Sequence, residues 1–417
     1  MRLKLLFFCF GAYAVAQDVD ILPLQLLDPA TGALCLDGST GGFHARNGST
    51  TSLMISLPGG GWCWDDGTCG GRANTSLGST DRYIEQNGWT RSVGEGEMSG
   101  RAERNPYFWN WTAISPVYCD GSNYAGVVDH EGVVTPQFNG TLRVRGRQIL
   151  KSVLDVVLHE WGMAATLEEV VLTGCSAGGT GVYFNVDWVH RYVASQLTHG
   201  RPLKTRGFGN AGWFLDTNSA TWDGAGWNGI PGIQRGADEK LFHYAGLSQT
   251  LSTECQKSYA PVGEPWKCAM SQYLYPFLEQ PTLVLQSSYD LNQLVTGGPR
   301  CVGQSISRGI PERPFPDTFS NCTTAEVEVI DRYGDALNAS LFGARRGAVF
   351  APTCTIHCYT NFWTSIAIGG TRMADAIGAF QRADNPAGML WYDKCRGGNC
   401  NPTCPVLQSG RSNEPTS

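Results

Sequence analysis

"VVLTGCSAGGTGVYFNV", residues 170–186, is an apolar run that turns through small residues around one serine and then becomes apolar again. The preceding residues, "LEEVVLTG", have the length and apolar content of a buried strand. "GVYFNVDWVHRYVASQL" spaces Val182, Val186, Val189 and Val193 as one helical face. Ser176 therefore falls between a strand and a helix, in Gly174-Cys175-Ser176-Ala177-Gly178. A G-x-S-x-G turn in that context lifts the hydroxyl clear of the sheet, and side chains at its glycine positions would collide with the neighbouring strand or helix. The helix also aims its free N–H groups and positive dipole end at the hydroxyl. The pentapeptide alone recurs by chance among small residues, and its flanks give it weight.

The same alternation extends outward. "SLMISLPGGGW" and "TAISPVYCDG" read as strands that stop in loops, and "PTLVLQSSYD" is an apolar run closing on polar residues 287–290. Between Val144 and Trp161, Ile149, Leu150, Val153, Leu154, Val157 and Leu158 keep helical spacing. Strands alternating with helices predict an α/β fold, a mostly parallel sheet with helices on both faces.

A nucleophilic serine needs a base and an orienting acid, which in an α/β-hydrolase follow it in the order acid, histidine. Of seven histidines, His44, His130 and His159 precede Ser176, and His190 lies on the helix leading away from it. His199 and His243 leave little chain for the remaining strands, so His357 in "APTCTIHCYTNFW" is the expected base, against its reading as a surface histidine between two cysteines. Asp290 closes "LVLQSSYD", at the carboxyl end of a strand, where open α/β sheets place their sites. Asp331, after "VEVI", is its rival. "LPGGGWCW" supplies a glycine-rich loop after an early strand, so Gly61, Trp62 and Ala177 are the expected oxyanion donors. The plainer reading of that loop is a turn packed by Trp62. No G-K-[ST] follows to bind phosphate, and no carboxylate pair is set apart for glycoside cleavage.

The ends and composition set the compartment. Residues 1–16, "MRLKLLFFCFGAYAVA", have the basic start, apolar centre and small-x-small close of a signal peptide, with an uncleaved anchor as the alternative. Residues 17–407 read as one domain, since no linker or repeat divides them, and 408–417 as a polar tail. A net charge of -6, without a basic patch, argues against nucleic acid as a partner, and no other run argues for stable membrane insertion. Fifteen cysteines less Cys9 of the leader leave an even number, expected as disulfides rather than zinc ligands because no C-x2-C pair is present. Pairing is left open, and Cys175 is also readable as a free small core residue. Asn47, Asn74, Asn110, Asn139, Asn321 and Asn338 each begin an N-x-S/T sequon, as in a secreted glycoprotein.

Together "LPGGGWC", "NPYFWNW" with "YCDG", "GCSAGGTG", "GWFLD", "SSYD" with Gln293, and the His357-Cys358 pair resemble, in order over about residues 35–365, the pectin acetylesterase and Notum family of secreted carboxylesterases. The resemblance implies an α/β-hydrolase fold, several disulfides, no metal or other cofactor, a triad at Ser176, Asp290 and His357, and oxyanion donors at Gly61, Trp62 and Ala177. Its two branches remove acetyl groups from pectin or a long unsaturated acyl chain from Wnt proteins. "YCDG", "GCSAGG" and "HCY" are closer to the first, whereas "GTGVYFNVDWV" and "AGWFLD" are closer to the second. Trp213 and Phe214 are candidates to line an acyl pocket, or plain core. The expectation is a secreted serine esterase, extracellular or in a cell wall, acting on O-acetyl groups of a polysaccharide. A protein deacylase is the alternative, and a glycan-binding protein without turnover the reading from another class.

Overall fold

The computed structural model describes residues 20–92, 96–216, 233–299, 301–302, 319, 321–343, 347–359, 362–398 and 400–405. The leader expected at 1–16 and the tail expected at 408–417 lie outside the described residues. In chain order the first strands are β1 (Ile21–Leu26), β2 (Gly42–Arg46), β3 (Ser49–Leu57), β4 (Thr90–Ser92) and β5 (Trp111–Pro116). A separate hairpin, β6 (Val128–Val134) and β7 (Asn139–Val144), precedes β8 (Glu169–Cys175), β9 (Lys204–Asn210), β10 (Thr282–Leu285) and β11 (Ala348–Ala351). The two-residue strands β12 (Ala367–Ile368) and β13 (Thr371–Arg372) pair with each other, and β14 (Leu390–Tyr392) ends the series.

Ten of these strands form one sheet in the order β14-β11-β10-β9-β8-β3-β5-β2-β1-β4. It is parallel from β14 to β5 and antiparallel from β5 to β4. The strand before Ser176, β8, runs between β3 and β9, so the serine emerges near the middle of the sheet with a paired strand on each side.

Apolar residues face both ways along these strands, as a sheet covered on both sides requires. Leu53, Ile55 and Leu57 of β3 pack with Ile149, Val153, Val182, Val186 and Val189 on one face. Met54, Val171, Phe208, Leu283 and Phe350 pack with Ile377 and Phe380 on the other. The helix expected between 144 and 161 spans Gly146–Asp155, continued by a wider turn at Val156–Glu160. The one expected after Ser176 spans Ala177–Gln196. Asp331 lies not at a strand end but within the helix Thr324–Gly343, because Val329, Tyr333 and Leu337 recur at four-residue spacing and bury one face.

Fourteen cysteines form seven disulfides: 35–119, 63–69, 175–358, 255–268, 301–322, 354–404 and 395–400. Cys175 is therefore bonded, not a free core thiol. The sequence "CRGGNCNPTC" divides between a local bond, Cys395–Cys400, and a distant one, Cys354–Cys404. Five of the six sequon asparagines are exposed, and Asn338 is half-buried where it accepts a hydrogen bond from the Ser288 hydroxyl at 2.8 Å.

Candidate active site

Ser176 has φ 60° and ψ −126°, a left-handed backbone that a residue with a side chain rarely adopts. Holding it costs of order 1–3 kcal/mol, and the neighbouring packing supplies the constraint. A Cβ on Gly174 would lie 2.5 Å from the Gly178 carbonyl oxygen, and one on Gly178 would overlap the Leu57 carbonyl oxygen at the end of β3. The Ser176 N–H donates to Asn210 O at 3.0 Å, at the end of β9. The turn is thus clamped between its two neighbouring strands, with the N-terminus of the helix Ala177–Gln196 immediately behind the serine.

Asp290 follows β10, is fully buried, and caps the helix Leu291–Gly297 by accepting the Gln293 N–H at 3.0 Å. Gln286 Nε2 donates to its Oδ2 at 2.9 Å. His357, in the loop after β11, places Nδ1 3.0 and 2.9 Å from the two carboxylate oxygens. An ionised carboxylate only accepts, so Nδ1 carries a proton, and in the neutral form of such a ring Nε2 is the acceptor. That Nε2 is buried and has no hydrogen-bond partner among the described residues, the Ser176 hydroxyl included. Other histidines are engaged elsewhere: His190 Nδ1 with Thr205 Oγ1 at 3.0 Å and His199 Nε2 with Leu167 O at 2.9 Å.

The glycine-rich loop passes directly over the serine turn. A Cβ on Gly59 would lie 2.8 Å from Ser176 Cβ, and Gly60 and Gly61 have φ of 141° and 67°. Two side chains that the sequence reading left without a role hold this loop: Tyr118 Oη donates to Gly61 O at 2.7 Å, and Arg72 Nη1 to Gly60 O at 2.9 Å. The Arg72 guanidinium stacks over the Tyr118 ring, 5.0 Å from its centroid. The only sequence signal for Tyr118 was its place in "YCDG".

The turn 211–216 separates the two aromatic candidates. Gly212 packs so closely on Gly179 that a Cβ on either would overlap backbone atoms of the facing segment. Trp213 is fully buried, stands edge-on to Tyr183 and Tyr275, and donates from Nε1 to Ser340 Oγ at 3.0 Å. Its indole is core. Phe214 instead stands edge-on to Trp62 at 5.1 Å between ring centroids and lies 6.2 Å from the His357 ring. Trp62 Nε1 is buried without a hydrogen-bond partner among the described residues. Gln293 braces the turn from both ends, accepting the Leu215 N–H at 2.9 Å and donating to Trp213 O at 3.1 Å. Burial pushes the Asp216 carboxyl up, but hydrogen bonds from Arg235 and Tyr273 outweigh it and hold the group below the usual carboxylate range.

A cavity of about 410 Å³ reaches up to Gly59, Tyr118 and Cys175 and is lined by His44, Ser56, Tyr83, Ser115 and Glu97. Desolvation pushes the Glu97 carboxyl up, partly offset by the Thr173 hydroxyl that donates to it at 3.0 Å. Among the described residues no cluster of three His, Cys, Asp or Glu side chains is arranged to hold a metal ion, and no helix is long and apolar enough to cross a membrane.

A family model described as pectinacetylesterase matches residues 15–405. Pectin acetylesterase 11 of Arabidopsis thaliana is 26% identical over 409 residues, covering 93% of this chain and 94% of the relative. Palmitoleoyl-protein carboxylesterase notum1a of Danio rerio is also 26% identical, over 94% of this chain and 74% of its own. The solved structure of the Wnt deacylase Notum from Drosophila superposes with a TM-score of 0.72 at 26% identity, covering 93% of this chain and all of that one. That neighbour and the mostly parallel sheet identify the fold as α/β-hydrolase-like. The chain is a carboxylic ester hydrolase and belongs to the pectinacetylesterase family.

Proposed function

We propose that this chain is an exported serine esterase in which Ser176 attacks the ester carbonyl, His357 moves the proton and Asp290 orients His357. The observation that carries the reading is the His357 ring, tied to Asp290 through Nδ1 while its buried Nε2 is left without a partner among the described residues. As Ser176 Oγ adds to the carbonyl carbon, its proton passes to Nε2, and Asp290 stabilises the imidazolium that forms. The oxyanion takes hydrogen bonds from the N–H groups of Ala177, Gly61 and Trp62, each contributing about 3–4 kcal/mol as in comparable sites. Nε2 then returns the proton to the departing alcohol. Water, deprotonated by the same nitrogen, splits the acyl-enzyme and frees the carboxylic acid.

The favoured substrate is an O-acetyl ester on an extracellular polysaccharide, in keeping with the family and the plant relatives. The Trp62–Phe214 pair beside His357 supports a second reading, an apolar cleft for a longer acyl chain such as the name of the Notum relatives specifies. The leader at 1–16 and the sequons support export. The test is hydrolysis of p-nitrophenyl esters from acetate to palmitate by the wild type and Ser176→Ala. The acetate reading requires a Ser176-dependent maximum at the shortest chain, a maximum at medium or long chains selects the deacylase, and turnover undiminished in Ser176→Ala removes both.

A further inference from the structure

The seven disulfides do not stand in equal relation to the site. Cys175 directly precedes Ser176 and Cys358 directly follows His357, so the bond between them spans 183 positions of chain to join the two loops at their reactive residues. Its Cα atoms are 6.0 Å apart. With one peptide step of 3.8 Å on either side, the Cα atoms of Ser176 and His357 are confined to within about 14 Å of each other whatever the loops do.

The bond makes directly a link that the other contacts of the site make only through an intervening strand. Serine, acid and histidine arise after β8, β10 and β11, three strands of which β8 and β10 are separated by β9. The Asp290–His357 hydrogen bonds tie the β10 loop to the β11 loop and set the ring's tautomer and tilt. Ser287 Oγ, donating to Cys354 O at 2.7 Å, ties the same two loops again. The Cys354–Cys404 bond and the Thr353 N–H to Asp393 contact fasten the β11 loop outward, toward the chain end. These contacts reach the serine turn only through β9, by the Ser176 N–H to Asn210 O and Ala211 N–H to Leu285 O bonds, whereas Cys175–Cys358 joins that turn to the His357 loop directly.

We infer that Cys175 and Cys358 are positioning residues, whose disulfide keeps the His357 loop beside the Ser176 turn so that Nε2 can reach Ser176 Oγ for proton transfer. The inference rests on the proposed triad. A displacement of about 1 Å in such a pair costs on the order of a hundredfold in rate, whereas substrate contacts made by the Trp62–Phe214 side are untouched. Loss of the bond therefore lowers kcat and leaves KM nearly unchanged.

The test is steady-state hydrolysis of p-nitrophenyl acetate by Cys175→Ala/Cys358→Ala, with active sites counted by a fluorophosphonate that labels the nucleophile. Cys255→Ala/Cys268→Ala, which removes a disulfide away from the triad, controls for loss of a crosslink. The expected result is kcat per labelled site lower by about a hundredfold, KM within twofold, labelling slowed in proportion, and the control near wild-type kcat despite a lower melting temperature. A double variant that melts earlier but keeps wild-type kcat per labelled site overturns the inference, because the bond is then only a staple. If the variant does not fold, wild-type protein is treated stepwise with a dithiol, which reduces the bond to two thiols and becomes a cyclic disulfide. Activity is read before each sample is alkylated and mapped. Activity lost in step with opening of Cys175–Cys358 upholds the inference, and full turnover with that bond open overturns it. A wild type without Ser176-dependent turnover would instead refute the triad itself.

Discussion

The loops that carry Ser176 and His357 lie side by side, yet they are built from different ranges of the chain. Around Ser176 the constraints are backbone against backbone: Gly178 on Leu57 O, Gly179 on Asn210 O, and Ser176 N–H on Asn210 O. Around His357 they are side chains reaching across 67 positions to Asp290, 183 to Cys175, 50 to Cys404 and 40 to Asp393. The geometry at Ser176 is thus a property of residue type in one short turn, whereas the geometry at His357 is assembled from four other segments. Tight local packing tolerates no added atom, and a loop held by distant partners tolerates additions but loses function when one partner changes.

The largest test of this contrast is Asp290→Asn. Asparagine keeps an acceptor for the Gln293 N–H but offers His357 an amide, which stabilises the wrong tautomer. The expected fall in kcat is about 10⁴-fold, with a lower melting temperature because the amide no longer accepts from Gln286 Nε2; a loss below tenfold would detach Asp290 from the chemistry. Gly178→Ala should act through stability instead, lowering it by about 3 kcal/mol because its Cβ overlaps the Leu57 carbonyl. Gly71→Ala, where an added Cβ meets nothing within 4 Å, is the matched control and should be neutral or slightly stabilising. Equal melting temperatures for the two alanine variants would break the argument from local packing.

The smallest effect belongs to Glu97 in the polar cavity. Its folded pKa is raised, so the native state prefers the protonated form, and stability is lost as pH rises from the ordinary carboxylate pKa through the raised one. Glu97→Gln should remove that loss, raising the melting temperature by about 2 °C at pH 7.5 and leaving it unchanged at pH 4. Equal gains at both pH values would assign the effect to packing.

The same contrast governs what could be read without coordinates. The strand before Ser176, the helix after it and the need for glycine at 174 and 178 follow from periodicity and residue size within a dozen positions. The helical setting of Asp331 was missed because "VEVI" is too short to distinguish a strand from one turn of a long helix, and the period shows only when Tyr333 and Leu337 are included. The Cys175–Cys358 pairing was illegible for a different reason: fourteen cysteines admit many pairings, and only the sheet order brings these two together. Of the residues that hold the Gly60–Gly61 carbonyls, Tyr118 shows only as part of "YCDG", and Arg72 carries no periodic or motif signal. Trp213 and Phe214 are neighbours of similar chemistry whose opposite fates depend on the turn that Gly212 makes against Gly179.

The most direct measurement of the central claim is mass-spectrometric mapping of the fluorophosphonate adduct on wild type, Ser176→Ala and His357→Ala, with its rate of formation. One adduct per chain on Ser176, absent from Ser176→Ala and formed at least about 1,000-fold more slowly in His357→Ala, is the expected result, since serine attacks phosphorus and expels fluoride only when a base takes its proton. An adduct on another residue, or a rate indifferent to His357, would contradict the assignment of Ser176 and His357 as nucleophile and base.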